Sequence, residues 1–200
     1  TNLPTNGSFS RRNSTDEIVL HHAEASHASV EEVNRWHLER GWTGIGYHFY
    51  IRKDGRIYRG RPEWATGAHA QGHNSRAIGI CVEGAYMTET MPKTQFDALV
   101  GLVREEMAKY PGAKVLRHKD VNSTDCPGVN YPWKALLAAI STEKKEETKL
   151  TYEQFKAFLQ RYEKENEGKN ASAWAADAWK ALTDAGITDG SAPQAALTRE

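Results

Sequence analysis

The sequence has no excess of charge of one sign and no long hydrophobic run. Its 200 residues include 26 Lys and Arg and 26 Asp and Glu, so the formal net charge is zero. A balanced charge gives no reason to expect nucleic acid or an anionic membrane as the main partner. The longest apolar stretches, at residues 77–82 and 135–140, are far shorter than the roughly 20 residues that cross a bilayer. We therefore predict no nucleic-acid partner and no membrane span.

Cysteine is also scarce. The two cysteines, Cys81 and Cys126, could pair only once and cannot form a disulfide framework. Cys81 lies in the apolar run 77–82, where a small buried strand residue is expected. Cys126 follows a polar loop and precedes Pro127 and Gly128. That setting is compatible with a metal ligand or a nucleophile.

No secretion signal is visible at the start of the sequence. Residues 1–16 are rich in Asn, Ser, Thr and Arg and contain no apolar segment of the kind that a signal peptide needs. Two interpretations are open: synthesis in a host cytoplasm without a signal, or secretion followed by removal of the signal.

Hydrophobic periodicity predicts strands interleaved with helices. Short apolar runs predict buried strands at residues 18–20, 77–82 and 115–116. Amphipathic spacing predicts helices at residues 29–40, 94–110 and 132–140, the first with a capping box of Ser29 and Glu32. The Asp54-Gly55 turn between residues 47–51 and 56–58 predicts a hairpin. This alternation favours an α/β fold with a central mixed β-sheet flanked by helices.

The composition changes after this region. We predict a main domain at residues 1–140, with a polar arm at 1–16, and a linker at 141–150 that consists almost entirely of charged and hydroxyl residues. Residues 151–200 carry two apolar stripes at helical spacing and are predicted to form a small helical segment.

Three residues of types that bind metals lie at the ends of predicted strands or in the loop that follows. His21 ends one predicted strand, His118 ends another, and Cys126 lies eight residues further on. Catalytic zinc usually has three protein ligands of this kind and one position open to solvent. Because strand side chains alternate between faces, His21 and His22 cannot both reach one metal from an ideal strand. Periodicity alone does not choose between them.

Ordered motifs along the chain make the region recognisable. They are Leu20-His21-His22-Ala23, Trp36-His37, Gly46-Tyr47-His48-Phe49, Asp54-Gly55, Gly67-Ala68-His69-Ala70, Asn74-Ser75, Ile78-Gly79-Ile80, Arg117-His118 and Asp125-Cys126-Pro127-Gly128. Residues 18–140 thereby resemble the zinc amidase family shared by amidase-type phage lysozymes and animal peptidoglycan recognition proteins. Several motifs in fitting order are far more specific than any single short pattern.

The resemblance implies a set of catalytic residues. It makes His21, His118 and Cys126 the ligands of a zinc ion and Tyr47 a catalytic residue whose phenol hydrogen-bonds the attacking water or the developing oxyanion. Thr124 stands where some relatives carry Lys, and it could donate a hydrogen bond to the oxyanion or simply cap the loop.

The resemblance also implies a substrate cleft. Trp64, His69, Asn74 and His48 lie near the family's cleft-lining positions, and we expect them to bind substrate. Each also has an ordinary explanation. His48, next to Tyr47, should face the opposite side of its strand and could be a satisfied core histidine.

The implied function is that of an N-acetylmuramoyl-L-alanine amidase, which cuts the amide bond between N-acetylmuramic acid and L-alanine in bacterial peptidoglycan. A phage or prophage endolysin acting at the bacterial cell wall is the leading interpretation, and a bacterial autolysin would use the same chemistry. One rival is a non-catalytic recognition module, although binding-only members of the family lack the ligand cysteine. A further rival is a cysteine peptidase with Cys126 as nucleophile and His118 as base.

The end of the chain resembles a different module. The stretch from Trp174 to Thr198-Arg199-Glu200 is similar to one S-layer homology motif, a module that binds secondary cell-wall polymers. Such modules normally act as several copies, whereas one copy is detectable here. The resemblance implies anchoring to a secondary cell-wall polymer.

Overall fold

The computed structural model describes residues 3–146 of the chain. The predicted helical segment at 151–200 and its S-layer-like motif lie outside the described residues, so both remain predictions. The chain divides between Glu143 and Lys144, close to the start of the predicted linker.

A five-stranded sheet forms the centre of the described region. Its strands are β1 (Glu17–His22), β2 (Phe49–Ile51), β3 (Ile57–Arg59), β4 (Ala77–Val82) and β5 (Lys114–Arg117), in the order β3-β2-β4-β1-β5. The pairs β2–β4, β4–β1 and β1–β5 are parallel, and β3 is antiparallel to β2. The helices are α1 (Val30–Glu39), α2 (Lys93–Lys109), α3 (His118–Val121) and α4 (Trp133–Glu146). The predicted mixed sheet with flanking helices is confirmed. Within the described region, no helix is both long and apolar enough to cross a membrane.

One face of the sheet carries the main hydrophobic core. Ile18 and Leu20 of β1 pack with Ile78 and Ile80 of β4 and with the apolar faces of α2 and α4. Strand alternation sends the intervening residues to the opposite face, where Cys81 packs near α1. His21 pairs in register with Cys81 and therefore points to this second face. The main core therefore lies on one face of the sheet, and His21 lies on the other.

Local signals explain most element boundaries. Ser29 caps α1, accepting the Glu32 N–H at 3.2 Å, while the Glu32 carboxylate accepts the Ser29 N–H at 2.8 Å, so the predicted capping box is present. The Asp54-Gly55 turn joins β2 to β3 as expected. The helix expected at 132–140 runs on to Glu146, because the Glu and Lys residues at the start of the predicted linker are good helix formers.

The predicted polar arm is not simply irregular. Arg11 forms a β-bridge with Ala65, and the Asn13 N–H donates to the Ser75 carbonyl at 2.8 Å. The arm therefore lies along the loop that precedes β4. The composition of the arm could not predict these contacts, because they are made by main-chain groups that almost every residue type supplies.

Glu106 on α2 is an acid buried against the core. Its side chain is inaccessible to solvent, and neither carboxylate oxygen has a hydrogen-bond partner in the described region. Burial, with a smaller contribution from Glu63, raises its pKa from 4.5 to about 7. The folded state therefore holds a proton that the unfolded chain releases, and stability falls as the pH rises from about 4.5 to about 7.

Replacing Glu106 with glutamine should remove this dependence. The pKa difference corresponds to a decrease on the order of 3 kcal/mol in the free energy of unfolding between pH 4.5 and pH 8. We expect Glu106→Gln to be more stable than the unsubstituted protein at pH 8 and similar to it at pH 5, as measured by urea unfolding. The exposed neighbour Glu105 supplies the control, Glu105→Gln. Equal pH dependence in all three proteins would contradict the assignment.

Candidate metal centre

The three predicted ligands converge at the carboxyl ends of two neighbouring strands. His21 lies near the end of β1, His118 begins α3 directly after β5, and Cys126 returns in the loop that follows α3. Because β1 and β5 are parallel neighbours, their carboxyl ends lie side by side. One ligand atom from each of the three residues lies within 4.8 Å of the others. The Cys126 Sγ is 3.8 Å from the His21 Nδ1.

This donor set fits a zinc ion. Tetrahedral zinc with ordinary bond lengths to nitrogen and sulfur separates the two atoms by about 3.6 Å, close to the distance between Sγ of Cys126 and Nδ1 of His21. Two imidazoles and a thiolate also match the softness that zinc favours. The third ring, that of His118, has its centroid 4.4 Å from the His21 ring centroid.

His22 has a different role. It lies on the face opposite His21, and its Nδ1 accepts the Tyr86 N–H at 3.1 Å. Periodicity left open which of the two histidines could join the cluster. In the structure, His21 is the one that lies with His118 and Cys126.

Burial controls the protonation of the cluster. It lowers the pKa of His21 well below the ordinary value, and the neighbouring His69 and His118 lower it further. A neutral imidazole is the form that binds metal. Burial raises the pKa of the Cys126 thiol to about 12, so a thiolate here requires a cation beside it.

Tyr47 lies against the cluster. Its ring centroid is 5.1 Å from that of His21. Burial raises the pKa of its phenol well above the ordinary value, and the thiols of Cys81 and Cys126 raise it further. The phenol therefore stays protonated and can donate a hydrogen bond, and the thiol of Cys81 lies beside it.

Thr124 is exposed, and its hydroxyl accepts the Cys126 N–H at 3.2 Å. This hydrogen bond is the loop-capping contact that was the alternative to a catalytic role. The hydroxyl keeps its own proton, so it can still donate a hydrogen bond.

Two of the predicted substrate residues make structural hydrogen bonds. His48 is fully buried, with its Nδ1 accepting the Gly79 N–H at 2.9 Å and its Nε2 3.0 Å from the Ala65 carbonyl. These contacts use both ring nitrogens, so His48 is a satisfied core histidine and not a cleft residue. The Asn74 Oδ1 accepts the N–H groups of His69 and Ala70 at 2.8 and 2.9 Å, which fixes the loop and leaves this oxygen engaged.

The other two predicted substrate residues differ in exposure. His69 is only 8% exposed and lies beside His21, whereas Trp64 is 48% exposed. The Trp64 carbonyl accepts the Arg12 N–H, and the Arg11 guanidinium lies 5.9 Å from the centre of its ring. The contacts of Trp64 are thus with the N-terminal arm, and its indole remains an open apolar surface.

Sequence reasoning gave His37 no role of its own. This residue is buried on α1, its Nδ1 accepts the Gly46 N–H at 3.0 Å, and its ring centroid is 5.5 Å from that of Tyr47. His37 therefore holds the segment that carries Tyr47. The sequence marked His37 only as part of the Trp36-His37 motif, and that motif does not reveal which group His37 contacts.

Comparison with known proteins gives a consistent result. Residues 11–129 match the N-acetylmuramoyl-L-alanine amidase family. An endolysin of Enterobacteria phage K11 is 36% identical over 128 residues, which cover 60% of this chain and 84% of the endolysin. Peptidoglycan-recognition protein LB of Drosophila melanogaster is 41% identical over 104 residues, covering 50% of this chain and 45% of that protein.

A solved structure extends the comparison to the fold. The N-acetylmuramoyl-L-alanine amidase LysC from Clostridium intestinale URNW superposes with a TM-score of 0.69 at 43% identity. The match covers 70% of this chain and 95% of LysC.

Proposed function

The chain belongs to the N-acetylmuramoyl-L-alanine amidase family, and from that premise we propose that it is a zinc-dependent phage or prophage endolysin that acts at the bacterial cell wall. Peptidoglycan is its substrate, and the bond cut is the amide between N-acetylmuramic acid and L-alanine. The observation that carries the zinc dependence is the convergence of three ligand atoms from His21, His118 and Cys126 within 4.8 Å.

These three residues would hold the zinc ion and leave one side open to substrate. When bound, zinc would supply a Lewis acid that polarises the amide carbonyl and lowers the pKa of a water molecule to about 7. Two neutral imidazoles and one thiolate would leave a formal charge of about +1 at the centre, so it would remain electrophilic.

The protein's own groups perform the remaining work. The Tyr47 phenol, kept protonated by burial, donates a hydrogen bond to the oxygen that becomes negative as the amide carbon turns tetrahedral. Thr124 is exposed and accepts the Cys126 N–H, and in this proposal its hydroxyl supplies a second, weaker donor to the same oxygen. Trp64 offers an apolar ring to the substrate outside the cluster.

The two rival functions predict different behaviour. A recognition module without catalysis has no need for a complete ligand set, and here all three ligands and Tyr47 are present together. In a cysteine peptidase Cys126 would attack the substrate itself, and chelators would spare its activity. EDTA should instead inhibit this protein, and zinc should restore it.

Mass spectrometry of digested peptidoglycan tests the bond assignment. Digestion with the full chain should release stem peptides with a free L-alanine amine and leave glycan strands whose N-acetylmuramic acid carries a free carboxyl group. New reducing sugar ends, or cleavage within the stem peptide, would contradict the proposal.

The C-terminal segment is proposed to bind a secondary cell-wall polymer, on the basis of its S-layer-like sequence alone. Replacing both Trp174 and Trp179 with alanine in the full chain should weaken sedimentation with cell walls that carry the polymer. Binding to walls stripped of the polymer should not change. Equal binding of the variant and the unsubstituted protein to both preparations would contradict this assignment.

A further inference from the structure

His21 uses its two ring nitrogens in different directions. Its Nδ1 faces the Cys126 Sγ, and its Nε2 lies 3.0 Å from the Nδ1 of His69. The two histidine rings meet nearly at a right angle, with an interplanar angle of 82°. Two imidazole nitrogens at this distance share one proton, because one must donate and the other accept.

We propose that His69 is a positioning residue that holds the His21 ring and keeps the His21 proton on Nε2, so that the Nδ1 lone pair is free for a metal. This inference rests on the proposed zinc function. Metal-ligating histidines almost always donate their second ring N–H to a carboxylate, a carbonyl or water. In this chain the acceptor is another histidine, which can accept only from the nitrogen that carries no proton.

The surroundings of His69 hold its ring in one place. A Cβ built on Gly67 or Gly79 would lie 2.5 or 2.4 Å from the His69 Cδ2, so both glycines leave the space that the ring fills. The His69 N–H donates to Asn74 at 2.8 Å, which fixes the backbone below the ring. Gly67, Asn74 and Gly79, which lie in three of the motifs, thus all contribute to the placement of this side chain.

The hydrogen bond between the two rings also determines where the proton of a neutral His69 lies. A proton on the His69 Nδ1 would face the His21 proton across 3.0 Å, so His69 must accept at Nδ1 when His21 donates from Nε2. The His69 proton then lies on its own Nε2, which is buried and has no hydrogen-bond partner in the described region.

This placement replaces the substrate-binding role expected for His69. With 8% of its surface exposed, the side chain offers almost nothing to a ligand in the cleft. Its effect on catalysis is exerted through His21.

Zinc affinity measured by competition with a chromophoric chelator tests the proposal without relying on activity. His69→Ala should bind zinc about 10- to 100-fold more weakly than the unsubstituted full chain. His69→Asn should recover part of the affinity, because its Oδ1 stands near the position of the lost Nδ1 acceptor. The control is His73→Ala in the same loop, since His73 bonds to Glu17 and not to the cluster. Its zinc affinity should be unchanged.

The ring protonation of His21 gives a second readout. Nitrogen-15 NMR of the metal-free, unsubstituted protein should show His21 protonated at Nε2, and His69→Ala should shift it towards a mixture of tautomers. Protonation at Nδ1 in the unsubstituted protein would overturn the proposal, even if His69→Ala failed to fold. An unchanged zinc affinity in folded His69→Ala would also overturn it. If the unsubstituted protein bound no zinc, the proposed zinc-dependent function would fail. The NMR measurement uses metal-free protein and does not depend on zinc binding, so the two failures are distinguishable.

Discussion

Replacing Cys126 with serine should lower amidase activity by about three orders of magnitude and remove bound zinc. A serine hydroxyl does not ionise as a thiol does and is a poor zinc ligand, so two imidazoles alone would have to retain the ion. Loss of the Lewis acid forfeits several kcal/mol of transition-state stabilisation, and each 1.36 kcal/mol is a factor of ten in rate. Release of stem peptides and zinc content by elemental analysis give the two readouts.

The second cysteine supplies the control for this substitution. Cys81 is fully buried on β4 and is not one of the three converging ligands. Cys81→Ala should therefore retain one equivalent of zinc, whatever it does to stability. The ligand assignment would be refuted by a Cys126→Ser protein that keeps both its zinc and its activity.

Removing the hydroxyl of Tyr47 should slow the reaction without releasing the metal. Phenylalanine keeps the ring that packs 5.1 Å from His21 but cannot donate a hydrogen bond to an oxyanion. Loss of one such donor typically costs about 100- to 1000-fold in kcat. We expect Tyr47→Phe to show a fall of this size in kcat with little change in KM and with unchanged zinc affinity.

The same measurements distinguish catalysis from packing. If Tyr47 only filled space on the second face of the sheet, the phenylalanine variant would keep its kcat. If Tyr47 instead held the cluster together, the variant would lose zinc. Either result would contradict the role of the phenol as an oxyanion donor.

Local signals predicted much of the fold. The run 77–82 became β4 with the expected bounds, and the capping box at Ser29 began α1 as predicted. These features depend on neighbouring residues, which is why periodicity and capping reveal them. The one-turn helix α3 and the packing of the arm against Ala65 were not predicted, because short helices and main-chain bridges carry little side-chain signal.

The candidate site was also predicted only in part. Strand alternation established that only one of His21 and His22 could join His118 and Cys126, but the choice required knowing which face carries the core. The places of His48 and His69 depend on contacts with Gly79 and His21, which are far away in sequence. A single sequence contains no record of such pairs. The resemblance placed both residues near the family's cleft, and for His48 the contacts favour the alternative of a satisfied core histidine.

Titration of metal-free full-length protein with zinc, followed by the release of stem peptides from peptidoglycan, tests the role of the cluster most directly. Activity should be near zero without metal, rise in proportion to added zinc and reach its maximum at one equivalent per chain. Full activity in the metal-free protein, undiminished by excess EDTA, would contradict a hydrolytic centre built on His21, His118 and Cys126.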